Sequence, residues 1–238
     1  MNDIFRRVEK KFLLNKSQYL KMKELMANYM QEDKYGKSTI CNIYFDTDQY
    51  DLIRHSITKP YYKDKVRLRS YNIPNKDSRV YLEIKRKCDE VVGKRRIEIK
   101  LENFYDYIYT DEPFKTSNPQ IENELYYYFN FYNLKPAMYV SYEREAFYQK
   151  DNMDFRATFD SNILARNYDL KLEKGSYGER ILPKNQYILE LKTLGAMPLW
   201  MVKILNDLKI KRAVYSKYGT AYTELILKEE DLINKMVI

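Results

Sequence analysis

Strand-like alternation runs through this chain, and its polar side is cationic almost everywhere. VRLRSY sets Val66, Leu68 and Ser70 against Arg67, Arg69 and Tyr71. VYLEIKR sets Val80, Leu82 and Ile84 against Tyr81, Glu83 and Lys85, and KRRIEIKL sets Arg95, Ile97, Ile99 and Leu101 against Lys94, Arg96, Glu98 and Lys100. DFRATFDS sets Phe155, Ala157 and Phe159 against Asp154, Arg156, Thr158 and Asp160. QYILELKT and RVEKKFL repeat the pattern, with Glu190 and Lys192 on one polar face and Arg7, Glu9 and Lys11 on the other. Residues two apart on a strand share a face, so these segments predict an antiparallel sheet or barrel. Ordinary wet strand faces mix Thr, Ser, Lys, Glu and Gln; these carry a long cation, often beside one carboxylate.

Two architectures satisfy that pattern. One is an antiparallel sheet with a solvated charged face and helices on the other side. In it Arg67 and Arg69 pair with Glu83 and Glu98, and Glu190 pairs with Lys192 or Arg69. The other is a closed barrel with the charged faces inward and the apolar faces covered outside. Only a polyanion balances that many enclosed cations, because unpaired buried charge is costly.

Composition removes other classes. The chain has 238 residues, with 42 Lys and Arg against 34 Asp and Glu, a formal charge of +8. An anionic partner is expected. The single histidine, His55, excludes multi-histidine metal sites, so any metal would be held by carboxylates, as Mg²⁺ or Mn²⁺ is. Cys41 and Cys88 stand too far apart in sequence for a CxxC site. Six glycines form neither a P-loop nor a dinucleotide fingerprint. No run approaches the ~18 apolar residues of a membrane span, and MNDIFRRVEKKF lacks a signal-peptide apolar core. A cytoplasmic location is expected, with any membrane attachment through a separate partner.

Helices are few. Ser17 is read as the cap of the first, and Asp46-Thr47 as the cap of a short one reaching Ile53. Asn118-Pro119 opens a helix to about Tyr132, Pro198 opens another, and the last runs from about Thr220 to the C-terminus. Tyr126, Tyr127, Tyr128 and Tyr132 are expected to pack on the sheet rather than stack on bases, and His55 to be a cap or surface residue.

The motifs also come in a telling order. R-x-E-x-K stands at Arg7-Glu9-Lys11, YFD at Tyr44-Phe45-Asp46, R-L-R at Arg67-Leu68-Arg69 and E-x-K at Glu83-Lys85. GKRR follows from Gly93, LKP from Leu134, SYEREAF from Ser141, Arg156 before FDSN, LELK from Leu189 and YSKYG from Tyr215. This series, from about Phe5 to about Tyr222, resembles the VTC domain, the polyphosphate polymerase module of the vacuolar transporter chaperone family. That family belongs to the triphosphate tunnel metalloenzyme, or CYTH-like, superfamily.

The resemblance implies an α+β fold: a closed antiparallel β-barrel tunnel of about eight strands, its lumen charged, surrounded by a few α-helices. Residues 1–238 would form a single domain of this kind. It implies a metal-dependent phosphotransferase that moves the γ-phosphate of ATP onto a growing polyphosphate chain. By position, Lys11, Arg67, Arg69, Lys85, Arg144, Arg156 and Lys192 resemble the family's catalytic cations. Lys94, Arg96, Tyr142, Ser216 and Lys217 resemble substrate-binding residues, with the register between Lys94 and Arg96 left open. Glu190 resembles the ligand of Mn²⁺ or Mg²⁺. The partners implied are ATP and polyphosphate, with no specific nucleic acid. Superfamily hydrolases begin E-x-E-x-K; Arg7 stands at the first glutamate here, which favours the polymerase subgroup over a triphosphatase. A hydrolase of the same fold and a non-enzymatic polyanion-binding module are the competing readings.

Overall fold

The computed structural model describes residues 8–89, 91–110 and 118–229. Arg7, on which the departure from E-x-E-x-K rests, lies outside them. In chain order the elements are β1 (Val8–Asn15), α1 (Lys16–Met26), β2 (Met30–Asp46), α2 (Asp51–Ile57) and β3 (Tyr62–Tyr71). Next come β4 (Arg79–Cys88), β5 (Val91–Lys100), α3 (Leu101–Thr110), α4 (Pro119–Phe131) and β6 (Lys135–Gln149). The chain continues with β7 (Arg156–Arg166), β8 (Glu179–Arg180), β9 (Gln186–Thr193), α5 (Leu199–Asp207) and α6 (Lys217–Tyr222).

The strands form one nine-stranded sheet in the order β1-β9-β7-β6-β2-β3-β4-β5, with β8 paired to β7 off that path. The registered ladders are antiparallel. The expected closed barrel is not what the ladder shows: among the described residues the path ends at β1 and β5 rather than joining them. The physical reason lies in β5, where Val91 through Arg96 are exposed. Charged residues such as Arg95 and Arg96 there are a common protection of an unpaired strand.

The chain divides into two compact units. The first comprises Met1–Ser38, Tyr142–Ile163 and Leu182–Ser216. The apolar faces of its strands supply Phe12, Leu14, Phe155, Phe159, Leu189 and Leu191, and α1 and α5 add Met22, Met26, Met201 and Leu205 to the same core. The second comprises Thr39–Ser141, Leu164–Ile181 and Lys217–Ile238. There Ile43, Phe45, Val66, Leu68, Val80, Leu82, Ile84, Ile97 and Ile99 meet Phe104, Tyr107, Leu125 and Phe129 from α3 and α4. In both units the period-2 pattern does what it predicts, sending one face of each strand into the core.

Several helix boundaries differ from the sequence reading. Asn15, not Ser17, caps α1 through a reciprocal pair: Gln18 N donates to Asn15 Oδ1 at 2.9 Å and Asn15 N to Gln18 Oε1 at 3.0 Å. α2 begins at Asp51, later than expected, yet the Asp46 carboxylate still accepts from Leu52 N at 2.8 Å and Ile53 N at 3.0 Å. Asn118 and Pro119 open α4 as expected, with Ile121 N donating to Asn118 Oδ1. Leu101 starts α3 rather than ending β5, because Leu101, Phe104 and Tyr107 recur at helical spacing and are all buried. α6 begins at Lys217 and passes into a π-turn at Thr223–Leu227. The expected continuation to the C-terminus lies outside the described residues beyond Glu229. On α4, Tyr128 is buried and Tyr132 packs on the core, but Tyr126 and Tyr127 face solvent.

A guanidinium organises the loop after β7. Arg166 is buried between the Tyr139 and Tyr177 rings, its Cζ 3.6 and 4.0 Å from their centroids. It donates to the backbone carbonyls of Asp169, Lys171, Gly175 and Tyr177. Every acceptor is main chain, so the loop's course is set by one side chain.

Leu82 is fully buried on central strand β4. Leu82→Ala is expected to lower unfolding stability by about 2–5 kcal/mol, for lost burial plus the cavity left behind, measured by urea denaturation.

Candidate functional site

Register converts the alternation into rows of side chains across each unit. In the second unit Tyr44 stands opposite Arg67, Arg67 opposite Glu83, and Glu83 opposite Arg96. On one side of that row lies Asn42–Arg69–Tyr81–Glu98, and on the other Lys65–Lys85–Lys94. All project from the face opposite the core.

Glu83 is the hub. Its side chain keeps only 1% of its surface. Oε2 accepts from Arg67 Nε at 2.8 Å and lies 2.7 Å from Arg67 Nη2 and 4.0 Å from Arg69 Nη1, while Oε1 meets Lys94 Nζ at 2.5 Å. Burial opposes its charge, but Arg67, Arg69 and Lys94 outweigh burial and hold the carboxyl down to about 2. Arg67 Nη1 also donates to Tyr44 Oη at 3.3 Å, and Arg69 Nε to the buried Asn42 Oδ1 at 3.0 Å. The fork of Arg67 therefore grips the Glu83 carboxylate, the pairing expected of the solvated-face architecture.

Lys94 behaves differently from its partner. Its stem is 40% exposed, while its ammonium is drawn onto the buried Glu83. Burial pushes its pKa down to about 8, with Arg69 and Arg67 adding to the fall against the pull of Glu83. One carboxylate shared by three cations explains both directions. Of the two residues whose register was open, Lys94 ion-pairs with Glu83, while Arg96 lies over the Tyr81 ring at 4.7 Å. Lys85 stands between Lys65 and Lys94.

Asp46 and Tyr218 anchor α6 in the same unit. Tyr218 Oη donates to Asp46 Oδ2 at 2.8 Å, and its ring stacks on Tyr44 at 4.5 Å. Burial raises both groups' pKa, well above the usual phenol range for Tyr218. This contact fixes the start of the helix that carries Lys217.

The first unit holds the second cluster. Lys11 stands opposite Glu190, and Glu9 opposite Lys192, which in turn faces Arg156. Lys11 Nζ is 3.3 Å from Glu9 and 3.8 Å from Glu190, and donates to Tyr215 O at 3.1 Å. Burial works against its charge, yet Glu190 and Glu9 raise its pKa overall. Lys192 Nζ lies 2.8 Å from Glu190 Oε1. Arg144 makes a two-point contact with the buried Asp160, Nε to Oδ1 at 2.6 Å and Nη2 to Oδ2 at 2.7 Å. Burial again opposes the guanidinium, and Asp160 keeps it firmly charged. Tyr142 is buried with its ring beneath Arg144. Arg156 shares the face of Lys192 by register, but its side chain is exposed and bonds the turn at Met153 O. Ser216 ends the last segment of the first unit, and Lys217 begins the last segment of the second.

The structure thus gathers Lys11, Glu190, Lys192 and Arg144 in one unit and Arg67, Arg69, Lys85, Lys94 and Arg96 in the other. Sequence reading gave no role to Glu9, Asp160 or Asn42, and Lys65 went unremarked. Strand parity already placed Glu9 and Asp160 on the cationic faces; Asn42 and Lys65 needed the extended bounds of β2 and β3. His55 is exposed on α2, its Nε2 2.9 Å from Tyr62 O, which agrees with a surface role.

Among the described residues no group of three or more His, Cys, Asp and Glu side chains converges as a metal cage. Glu9 and Glu190 both reach Lys11, however, and Mg²⁺ or Mn²⁺ commonly takes one or two carboxylates with substrate phosphates completing its shell. The donor set fits a cation arriving with phosphate.

The VTC domain family model matches residues 6–226. The chain belongs to the VTC domain family. Two solved structures share its fold: a candidate adenylate cyclase from Bacillus halodurans, 12% identical over 89% of this chain and 95% of that one with a TM-score of 0.53. The other is a candidate adenylate cyclase from Vibrio parahaemolyticus, 12% identical over 90% and 96% with a TM-score of 0.50. At such identity they speak for fold alone. No curated relative matches the chain. No helix among the described residues is long and apolar enough to cross a membrane.

Two outcomes follow from the charge states. Glu83 is depressed from 4.5 to about 2, so its stabilisation is present above about pH 4.5 and drains away as pH falls toward 2. Over that window the protein should lose on the order of 3 kcal/mol more than Glu83→Gln does, measured by unfolding at stepped pH. Lys94, depressed to about 8, should give tripolyphosphate binding that weakens as pH rises through about 8. In Lys94→Arg that limb should vanish; its persistence in titrations would assign the limb to another group.

Proposed function

We propose that the chain is a polyphosphate polymerase, transferring the γ-phosphate of ATP to a growing polyphosphate chain. Membership in the VTC domain family supports this reading, and one observation carries it. The row Lys65–Lys85–Lys94 concentrates three cations on adjacent strands, beside Arg67 and Arg69, with Lys94 paired to Glu83. Cations gathered on one strand face set up a positive potential that attracts a phosphate chain.

The transfer needs no side-chain nucleophile. A terminal polyphosphate oxygen attacks the γ-phosphorus, the bond to the β–γ bridging oxygen breaks, and ADP leaves with that electron pair. Phosphoryl transfer has a loose transition state whose charge lies on the phosphate oxygens, so positioning and electrostatics supply most of the rate. Lys11, Lys85, Lys94 and Lys192 add point charges that those oxygens can meet. Arg67 and Arg144 are oriented by Glu83 and Asp160, and the buried carboxylates fix the cations before substrate arrives. Mn²⁺ or Mg²⁺, held by Glu190 and Glu9 together with phosphate oxygens, would neutralise charge on the substrate.

Purified protein given ATP, Mn²⁺ and a short polyphosphate primer should lengthen the primer, read on gels. Orthophosphate as the sole product would establish a triphosphatase instead, and binding without turnover a polyanion-binding module. Arg67→Ala should weaken triphosphate binding by about 1.5–3 kcal/mol, the scale of a lost charged hydrogen bond. Glu190→Gln should raise the Mn²⁺ concentration needed for half-maximal turnover; an unchanged requirement removes Glu190 from the metal.

A further inference from the structure

The lysine row does not stop at the residues assigned above. One step further along the same face, Lys63 on β3 stands opposite Lys87 on β4. Residues two apart on a strand are about 6.7 Å apart and adjacent strands about 4.8 Å. The face of β3 and β4 therefore carries Arg67, then Lys65 beside Lys85, then Lys63 beside Lys87, as successive cationic rungs. Lys63, Lys65, Lys85 and Lys87 are all half-buried. Lys63 Nζ approaches Ser56 O at 3.5 Å. Its pKa is lowered by burial and by Lys87 and Lys59, with no carboxylate raising it. These rungs lie away from Glu83, beyond what a bare triphosphate at Arg67 and Lys94 requires.

We infer that Lys63 and Lys87, one rung beyond the Lys65–Lys85–Lys94 row, extend the phosphate site into a track along β3 and β4 that holds the polyphosphate chain. This rests on the polymerase reading and deepens it, by separating polymer-holding cations from those at the reacting phosphates. Two lysines stand abreast on each rung, which suits an anion with charge on every unit and no spacer; a nucleic acid, with a sugar between successive phosphates, brings fewer charges to each rung.

The test compares ligands on the full chain by calorimetry or fluorescence, using long-chain polyphosphate, tripolyphosphate and single-stranded DNA. Lys63→Met/Lys87→Met should weaken long-chain polyphosphate binding by about tenfold or more and lower its salt slope by about one per lysine. Tripolyphosphate affinity should stay within about twofold on the same reasoning. Lys65→Met should weaken both phosphate ligands, and Lys63→Arg/Lys87→Arg should restore long-chain binding. Unchanged long-chain affinity, or equal losses for both phosphate ligands, overturns the track. A parallel loss for DNA overturns it in favour of an unspecific polyanion surface. The polymerase reading fails separately: a protein that shows the long-chain split but lengthens no primer keeps the track and loses the polymerase.

Discussion

A buried carboxylate surrounded by cations on a strand face is the interaction on which the rest of this molecule depends. Glu83 does this in one unit and Asp160 in the other. Without such a partner, guanidiniums at these depths would lose hydration with no compensation. With it, Arg67 and Arg144 become fixed parts of the sheet. Their charge is then available to the surroundings, while their geometry belongs to the protein.

The lysines are the other half of the design. They hang on flexible stems, and several share a row with another lysine. Arg67 and Arg144 are held at two points by one carboxylate each, whereas Lys94 and Lys192 each meet a carboxylate through a single ammonium. For the polymerase proposed above, two-point and single-point donors side by side suit a substrate that must be gripped and then advanced, since a chain held only by two-point contacts would be slow to slip. The VTC domain match is consistent with the polymerase proposed above, and the strand register shows which cations share a row.

Much of this was legible in the sequence. Period-2 alternation placed Arg67, Arg69, Glu83, Lys85 and Glu190 correctly with respect to the core, because a strand's two faces are fixed by covalent geometry alone. The motif order led to the VTC domain family. What was hidden depends on neighbours far along the chain. That Arg67 meets Glu83, and Lys11 meets both Glu9 and Glu190, follows from register, which no single segment contains. Barrel closure failed as an expectation for the same reason: alternation reports which way side chains point, not whether the two end strands pair. Leu101 illustrates a local miss. It continues the alternation of β5, but Phe104 and Tyr107 behind it favour a helix, and burial of that stripe decides.

Arg166 has a consequence of its own. Its guanidinium links carbonyls from Asp169 to Tyr177 and is clamped between two rings. Such a segment has no partial way to open, since withdrawing one side chain releases all the carbonyls together and exposes a desolvated charge. Residues 167–177 should therefore exchange their amide hydrogens as one cooperative block rather than fraying residue by residue, and lengthening this loop should be tolerated far less than lengthening a surface turn.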